Sequence, residues 1–312
     1  MTISSSLSTF HPSCPVCSNH NIFMVRPYRT NNNIFNSSIF SCNSCTMVFA
    51  FPPPSVSELN LFNSSYFSNA HSGLIVDKNT IFFHKGIARC RISYIQNYMD
   101  IFDLSLTSVY EVGPGQGFLA SLMLQSNPTL DYWVTESDLS CHVPLRNLGV
   151  NITDKPRTNS SSLVILSHVL EHVSEPIVFL MDKLSALSPG GVLFIEVPCL
   201  DYLHKPLDEP HLLFFQKSSL LILLESLGLI DVKLSYFGRT IVDLKKKFSF
   251  KNSLNRCRSR LLRLGCLGQF LANADTSTLI DPFELASTLP YQPYVENDHP
   301  SWWLRALARK PS

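Results

Sequence analysis

From about residue 78 the chain alternates between apolar runs of strand length and stretches with helical spacing, and this alternation limits the fold more than any other feature. "IFFHKGIARCRISYIQNYMDIF" carries apolar residues at helical intervals, "SVYEV" reads as a strand, "FLASLMLQ" as a helix and "DYWVTES" as a strand. Further on, "SLVILSHV" reads as a buried strand, "EPIVFLMDKLSAL" as an amphipathic helix, "SPGG" as a turn and "VLFIEVP" as a strand. Such alternation predicts an α/β fold, a largely parallel sheet with helices on both faces, and places ligands beyond the carboxyl ends of the strands. At 312 residues, 45% hydrophobic and 16% charged, the chain can bury the core this requires.

The first strand–helix junction reads "EVGPGQGFLA". Gly113, Gly115 and Gly117 miss the dinucleotide spacing Gly-x-Gly-x-x-Gly, because Phe118 stands where the third glycine belongs. No Gly-Lys-Ser/Thr follows, so a P-loop is excluded. What remains is an acid, Glu111, in the strand, a Gly-x-Gly-x-Gly turn, and a second acid, Glu136, at the end of the next strand, where a carboxylate can accept from a ribose diol.

Four of the nine cysteines form two identical pairs, "CPVC" (Cys14, Cys17) and "CNSC" (Cys42, Cys45), 24 residues apart. Two Cys-x-x-Cys turns facing one another supply the tetrahedral thiolate set that Zn²⁺ prefers. "NIFMVRPYR" and "IFNSSIFSC" read as the hairpin that would join them. Only Arg26 and Arg29 are basic there, which favours a structural staple over a nucleic-acid reader.

Together these motifs resemble the class I S-adenosylmethionine (SAM) dependent methyltransferases, whose Rossmann-like sheet carries an acidic strand end followed by GxGxG. "LVILSHVLEHVSEPIVFLMDKLSALSPGGVLFIEVP" is similar to that family's stretch from fourth to fifth strand. With the cysteine pairs, the chain resembles the subgroup that has an N-terminal zinc-binding domain and includes sugar C-methyltransferases acting on nucleotide-linked deoxysugars. The resemblance implies SAM and structural Zn²⁺ as cofactors. It implies Glu111, Gly113, Gly115, Gly117, Glu136 and His168 at the SAM site, and Cys14, Cys17, Cys42 and Cys45 as metal ligands.

Methyl transfer needs donor and acceptor held in line and a base for the acceptor's proton. His168, His172 and His211 fall at expected strand ends or the loops after them. His168 is expected to line the cofactor pocket mainly through its backbone. His172 is expected to face the acceptor from a helix start, with Glu171 capping or orienting that helix. The subgroup handles protons with a histidine in the loop after the fifth strand, which here is His211. Pro210 occupies the position where that subgroup has an acid, so C- and O-methylation both stay open. Tyr66 matches a tyrosine-rich linker of the subgroup that approaches the acceptor.

The expected organisation is a zinc-ribbon-like module over 1–54, a linker over 55–77, the SAM-binding core over 78–240 and a basic helical insertion or lid over 241–295. Residues 296–312 read as the last strand of the sheet or as a helix. From Leu244 to Cys266 there are eight basic residues and no acid, with Leu254, Cys257, Leu261 and Leu264 expected on one helical face. This reads as a solvated face, a grip on an anionic acceptor or a weak membrane-surface contact. The net charge of +1 gives no global footprint for nucleic acid. No apolar run approaches the roughly 20 residues of a membrane span, and the first residues lack a signal-peptide pattern, so the expected compartment is the cytoplasm.

The sequence thus reads as a methyltransferase for a small-molecule acceptor, a sugar or nucleotide sugar, in surface-glycan or secondary-metabolite synthesis. The alternatives are an RNA or protein methyltransferase and a noncatalytic SAM-binding interaction module.

Overall fold

The computed structural model describes residues 12–31, 36–67, 73–246, 250–264 and 281–312. Near the N-terminus, β1 (Ile22–Pro27), β2 (Ser38–Cys42) and β3 (Val48–Phe51) form an antiparallel sheet. The first cysteine turn precedes β1, and the second lies between β2 and β3. Two helices follow: α1 (Val56–Asn63), with a Ser55–Glu58 capping box, and α2 (Lys78–Ile101), started by the Asp77 side chain.

The alternation expected from the sequence is realised as an eight-stranded sheet. Its parallel half comprises β4 (Ser108–Val112), β5 (Asp131–Thr135), β6 (Asn151–Ile152), β7 (Ser161–Ser167) and β8 (Leu187–Pro198). Helix α3 (Phe118–Ser126) follows β4, and α4 (Pro176–Leu184) follows β7. The order β6-β5-β4-β7-β8 reverses direction at β4 and β7, so a crevice opens beyond their carboxyl ends. Both the glycine turn and His168 lie there. The "SPGG" stretch, expected as a turn, is instead a bulge inside β8: the pairing with β7 jumps from Ser161↔Leu187 to Leu163↔Val192.

The loop beyond β8 carries β9 (Leu213–Phe214), which leaves the large sheet and pairs with β3 through Val48↔Phe214. After α5 (Lys217–Ser226), β10 (Ile230–Thr240) returns to the main sheet. Helices α6 (Phe250–Arg263) and α7 (Pro282–Thr288) precede β11 (Glu296–Asn297) and β12 (Ser301–Arg309). Strand β12 is inserted between β8 and β10, antiparallel to both. Residues 265–280 of the expected insertion lie outside the described residues. No helix among the described residues is long and apolar enough to cross a membrane.

The face expected for the basic helix needs correction. Among the described side chains of α6, Asn255 and Ser259 are buried, and Ser259 donates to the Ala286 carbonyl of α7, whereas Leu261 is half-buried and Leu254, Cys257 and Leu264 are exposed. Packing against a neighbouring helix by small polar residues overrides the apolar stripe.

At the centre of the main sheet Glu196 of β8 is wholly buried opposite Arg305 of β12, itself 1% exposed. Arg305 Nε donates to Glu196 Oε2 at 2.6 Å, and Arg91 of α2 donates to Oε1 from Nε and Nη2 at 2.9 and 2.5 Å. Burial opposes ionisation of Glu196, but the two guanidiniums outweigh it and hold the carboxyl well below its usual range. Because removing one partner strands a buried charge, Arg305→Met is expected to lower stability by about 3–5 kcal/mol in urea unfolding. Combining it with Glu196→Gln should recover part of that loss.

Candidate active site

The turn after β4 is built for close approach of a ligand. Gly113 (φ 65°) and Gly115 (φ 58°) occupy the left-handed region, and a Cβ at Gly115 would lie 2.9 Å from the Phe67 ring. Glu136, at the end of β5, accepts from the Gly115 amide at 2.8 Å and from the Asp138 amide at 2.9 Å. Burial raises its pKa, against these two hydrogen bonds. Asp138 in turn accepts from the Phe67 amide at 2.8 Å and so fastens the 66–67 segment over the turn.

Gly113, Gly115 and Glu136 line a cavity of about 650 Å³ that also reaches His168, His172 and His211. The structure therefore brings the proposed cofactor and acceptor residues to one space. Glu111 lines it from below, 3% exposed, and accepts from Tyr132 Oη at 2.6 Å. Gly117 starts α3 at φ 78° and packs against Leu145 and Leu148, so its part is to turn the chain into the helix.

His168 does more than present its backbone. In the left-handed region at φ 56°, it places Nδ1 3.2 Å from Glu171 and Nε2 3.3 Å from Glu196. Burial would lower its pKa, but these carboxylates outweigh it and raise it. Glu171 and His172 lie in a short 3-10 turn ahead of α4, which has no side-chain N-cap, so Glu171 orients the turn and does not cap the helix. The Glu171 carbonyl accepts from the Leu212 amide at 2.7 Å and thereby ties this turn to the loop of His211. Burial lowers His172 to about 4, so it is a neutral imidazole near pH 7. Its ring lies edge-on to His211 (centroids 4.9 Å apart) and to Tyr66 (5.8 Å).

The loop of His211 is held from the N-terminal module, a contact that sequence reasoning missed. Asp208, 2% exposed, receives Arg26 Nη1 and Nη2 at 2.6 and 2.7 Å and Arg29 Nη2 at 2.7 Å. Burial opposes ionisation of Asp208, but both arginines keep its pKa low. Tyr28 Oη donates to the His211 carbonyl at 2.9 Å, and Thr30 and Asn31 bind Glu209. No local pattern pairs residues this far apart; the only signal was two arginines in a segment otherwise without basic residues.

The four cysteine sulfurs lie within 4.8 Å of one another, with Cys14–Cys45 at 3.4 Å and Cys17–Cys42 at 3.6 Å. Four thiolates about 2.3 Å from a tetrahedral ion would be separated by roughly 3.8 Å, so this donor set fits zinc.

Residues 87–234 match the family model of a methyltransferase domain. Among solved structures, a SAM-dependent methyltransferase from Thermotoga maritima shares 13% identity over 80% of this chain and 98% of its own, with a TM-score of 0.49. The plantazolicin methyltransferase BpumL, in complex with S-adenosylhomocysteine (SAH), shares 16% identity over 82% and 97%, at 0.45. A phosphoethanolamine N-methyltransferase from Haemonchus contortus shares 15% over 85% and 63%, at 0.47. No curated protein matches the chain.

These likenesses are distant; the switch-point sheet and its glycine turn, within the matched segment, define the class. Residues 87–234 carry a methyltransferase domain on a Rossmann-like sheet. The glycine turn, Glu136 and the cavity fit SAM.

Two outcomes are expected. Replacing Arg26 and Arg29 by alanine should leave SAM affinity within about twofold in calorimetry, yet lower methyl transfer by about 100-fold, because the loop carrying His211 loses its anchor. The second concerns Glu111, which burial raises from 4.5 to about 7. A raised acid stabilises the native state fully below the unfolded pKa, and that contribution disappears as pH rises through the native one. Between roughly pH 5 and 8 the wild type should therefore lose about 3 kcal/mol relative to Glu111→Gln, read from paired urea melts.

Proposed function

We propose that this protein transfers the methyl group of SAM to a small polar acceptor, a sugar or nucleotide sugar, in the cytoplasm. The observation that carries this reading is the single cavity joining the glycine turn to His172 and His211. Its volume, about 650 Å³, lies in the range of small-molecule sites. Its acceptor half is walled by Tyr66, Phe83, Tyr291 and Trp302, flat apolar surfaces that suit the C–H faces of a sugar ring. A small polar acceptor for surface glycans or secondary metabolites fits this enclosure better than RNA or a folded protein.

SAM supplies an electrophilic methyl on its sulfonium. The backbone of Gly113 and Gly115 admits the cofactor closely, and Glu136 offers its remaining lone pairs to the ribose hydroxyls. His211 receives the acceptor's proton. His172, neutral and packed against it, forms the wall and hydrogen-bonds the acceptor. Cys14, Cys17, Cys42 and Cys45 hold a structural Zn²⁺ that fixes the module bearing Arg26, Tyr28 and Arg29. The exposed arginines of α6 form a solvated face.

Calorimetric titration of the metal-replete protein should show binding of SAM and SAH, loss of binding in Gly115→Val and at least tenfold weakening in Glu136→Ala. Metal analysis should find one zinc per chain, abolished when Cys14 and Cys17 are both serine. A screen of nucleotide sugars with labelled SAM then tests the acceptor; turnover of RNA or protein in place of every small acceptor would refute the reading.

A further inference from the structure

Four carboxylates lie around the His211 loop, and their engagements differ. Asp208 is consumed by Arg26 and Arg29, Glu209 by Thr30 and Asn31, and Glu171 Oε1 by His168. Asp201, in the 3-10 turn after β8, is 2% exposed and places Oδ2 2.7 Å from His211 Nδ1. Lys205 Nζ approaches the same oxygen at 2.8 Å. Among the described residues none bonds His211 Nε2, and His211 lines the cavity.

We infer that Asp201 is the positioning residue of this site: it fixes the proton of the neutral His211 imidazole on Nδ1 and leaves the Nε2 lone pair facing the acceptor. The inference rests on the base role proposed above for His211. A carboxylate can only accept, so the imidazole nitrogen touching it must carry the hydrogen. The ring is held on three sides, by Asp201 at Nδ1, by Tyr28 through the backbone carbonyl and by the His172 ring at its face.

During transfer Nε2 takes the proton as the acceptor atom bonds to the methyl carbon, and the carbon–sulfur electron pair stays with sulfur. The imidazole becomes an imidazolium with both nitrogens protonated, and the Asp201 charge balances it while remaining ionised. Burial opposes that ionisation, but His211 and Lys205 outweigh it and keep the Asp201 carboxyl low. The acid that the sequence seeks next to His211, where Pro210 stands, is supplied from ten residues upstream.

Nitrogen NMR of ¹⁵N-histidine-labelled protein, with His211→Gln for assignment, reads the tautomer directly and needs no acceptor. The wild type should show the proton on Nδ1 and a bare Nε2. In Asp201→Ala no acceptor remains at Nδ1 and the proton should move to Nε2, the nitrogen that an unconstrained neutral imidazole prefers; Asp201→Glu should restore the wild-type pattern, and so should Asp201→Asn, because Lys205 and His211 share one oxygen of the wild-type carboxylate. With a nucleotide sugar as acceptor, Asp201→Ala should lose about 100-fold in kcat at unchanged KM for SAM, and Asp201→Glu should regain most of it.

A wild-type proton on Nε2, or an Nδ1–H form that persists in folded Asp201→Ala, would overturn the inference. Donor atoms of Glu171, His172 and His211 lie within 4.8 Å of one another, so Co²⁺ that broadens the His211 Nε2 signal and is required for turnover would also overturn it, making His211 a ligand. If nucleotide sugars are not the acceptors, turnover fails while the tautomer result stands, which separates the two readings.

Discussion

A carboxylate with no access to water joins the parts of this enzyme. Glu196 sits between Arg91 of α2, Arg305 of β12 and His168 at the end of β7, so one buried charge links a helix, two strands and the loop that borders the cofactor cavity. Such a charge is tolerable only when its partners are in place. His168 adopts a left-handed conformation at this point and hands the interaction on to Glu171, whose carbonyl meets the His211 loop. The electrostatics of the core and the shape of the catalytic half are therefore one problem with one solution.

The loop of His211 is over-determined in the same way from its other side. Asp208 takes five guanidinium and amide donors from the N-terminal module, and Tyr28 holds the backbone of His211 itself. The cysteine module thus sets the position of one imidazole in the cavity. That arrangement explains why a staple with so little basic character sits beside an active site.

The alternation of strands and helices was legible because it is local: each element declares its period within a few residues. The glycine turn was legible for the same reason, since strand, turn, helix and downstream acid lie within one short stretch. Bringing His168, His172 and His211 together required only the rule that loops at one end of a parallel sheet converge. What stayed hidden were pairings between distant segments: Arg305 with Glu196, Arg26 with Asp208, Asp201 with His211. Each partner looks like an ordinary surface charge until the sheet order is known. The face by which α6 packs was equally hidden, because its neighbour α7 meets it through small polar side chains.

Strand β9 completes the N-terminal sheet from inside the core, pairing Phe214 with Val48 across most of the chain. Synthesis runs in the opposite sense. The cysteine module leaves the ribosome ahead of the main sheet, yet its fourth strand and the carboxylate that its arginines bind emerge only after β8 has been made. Its three early strands must wait with one edge open, and such long-range closures are the slow part of folding. A segment made before its partners is thus finished only when they close on it, and the loop of His211 takes its place in the cavity at that closing step.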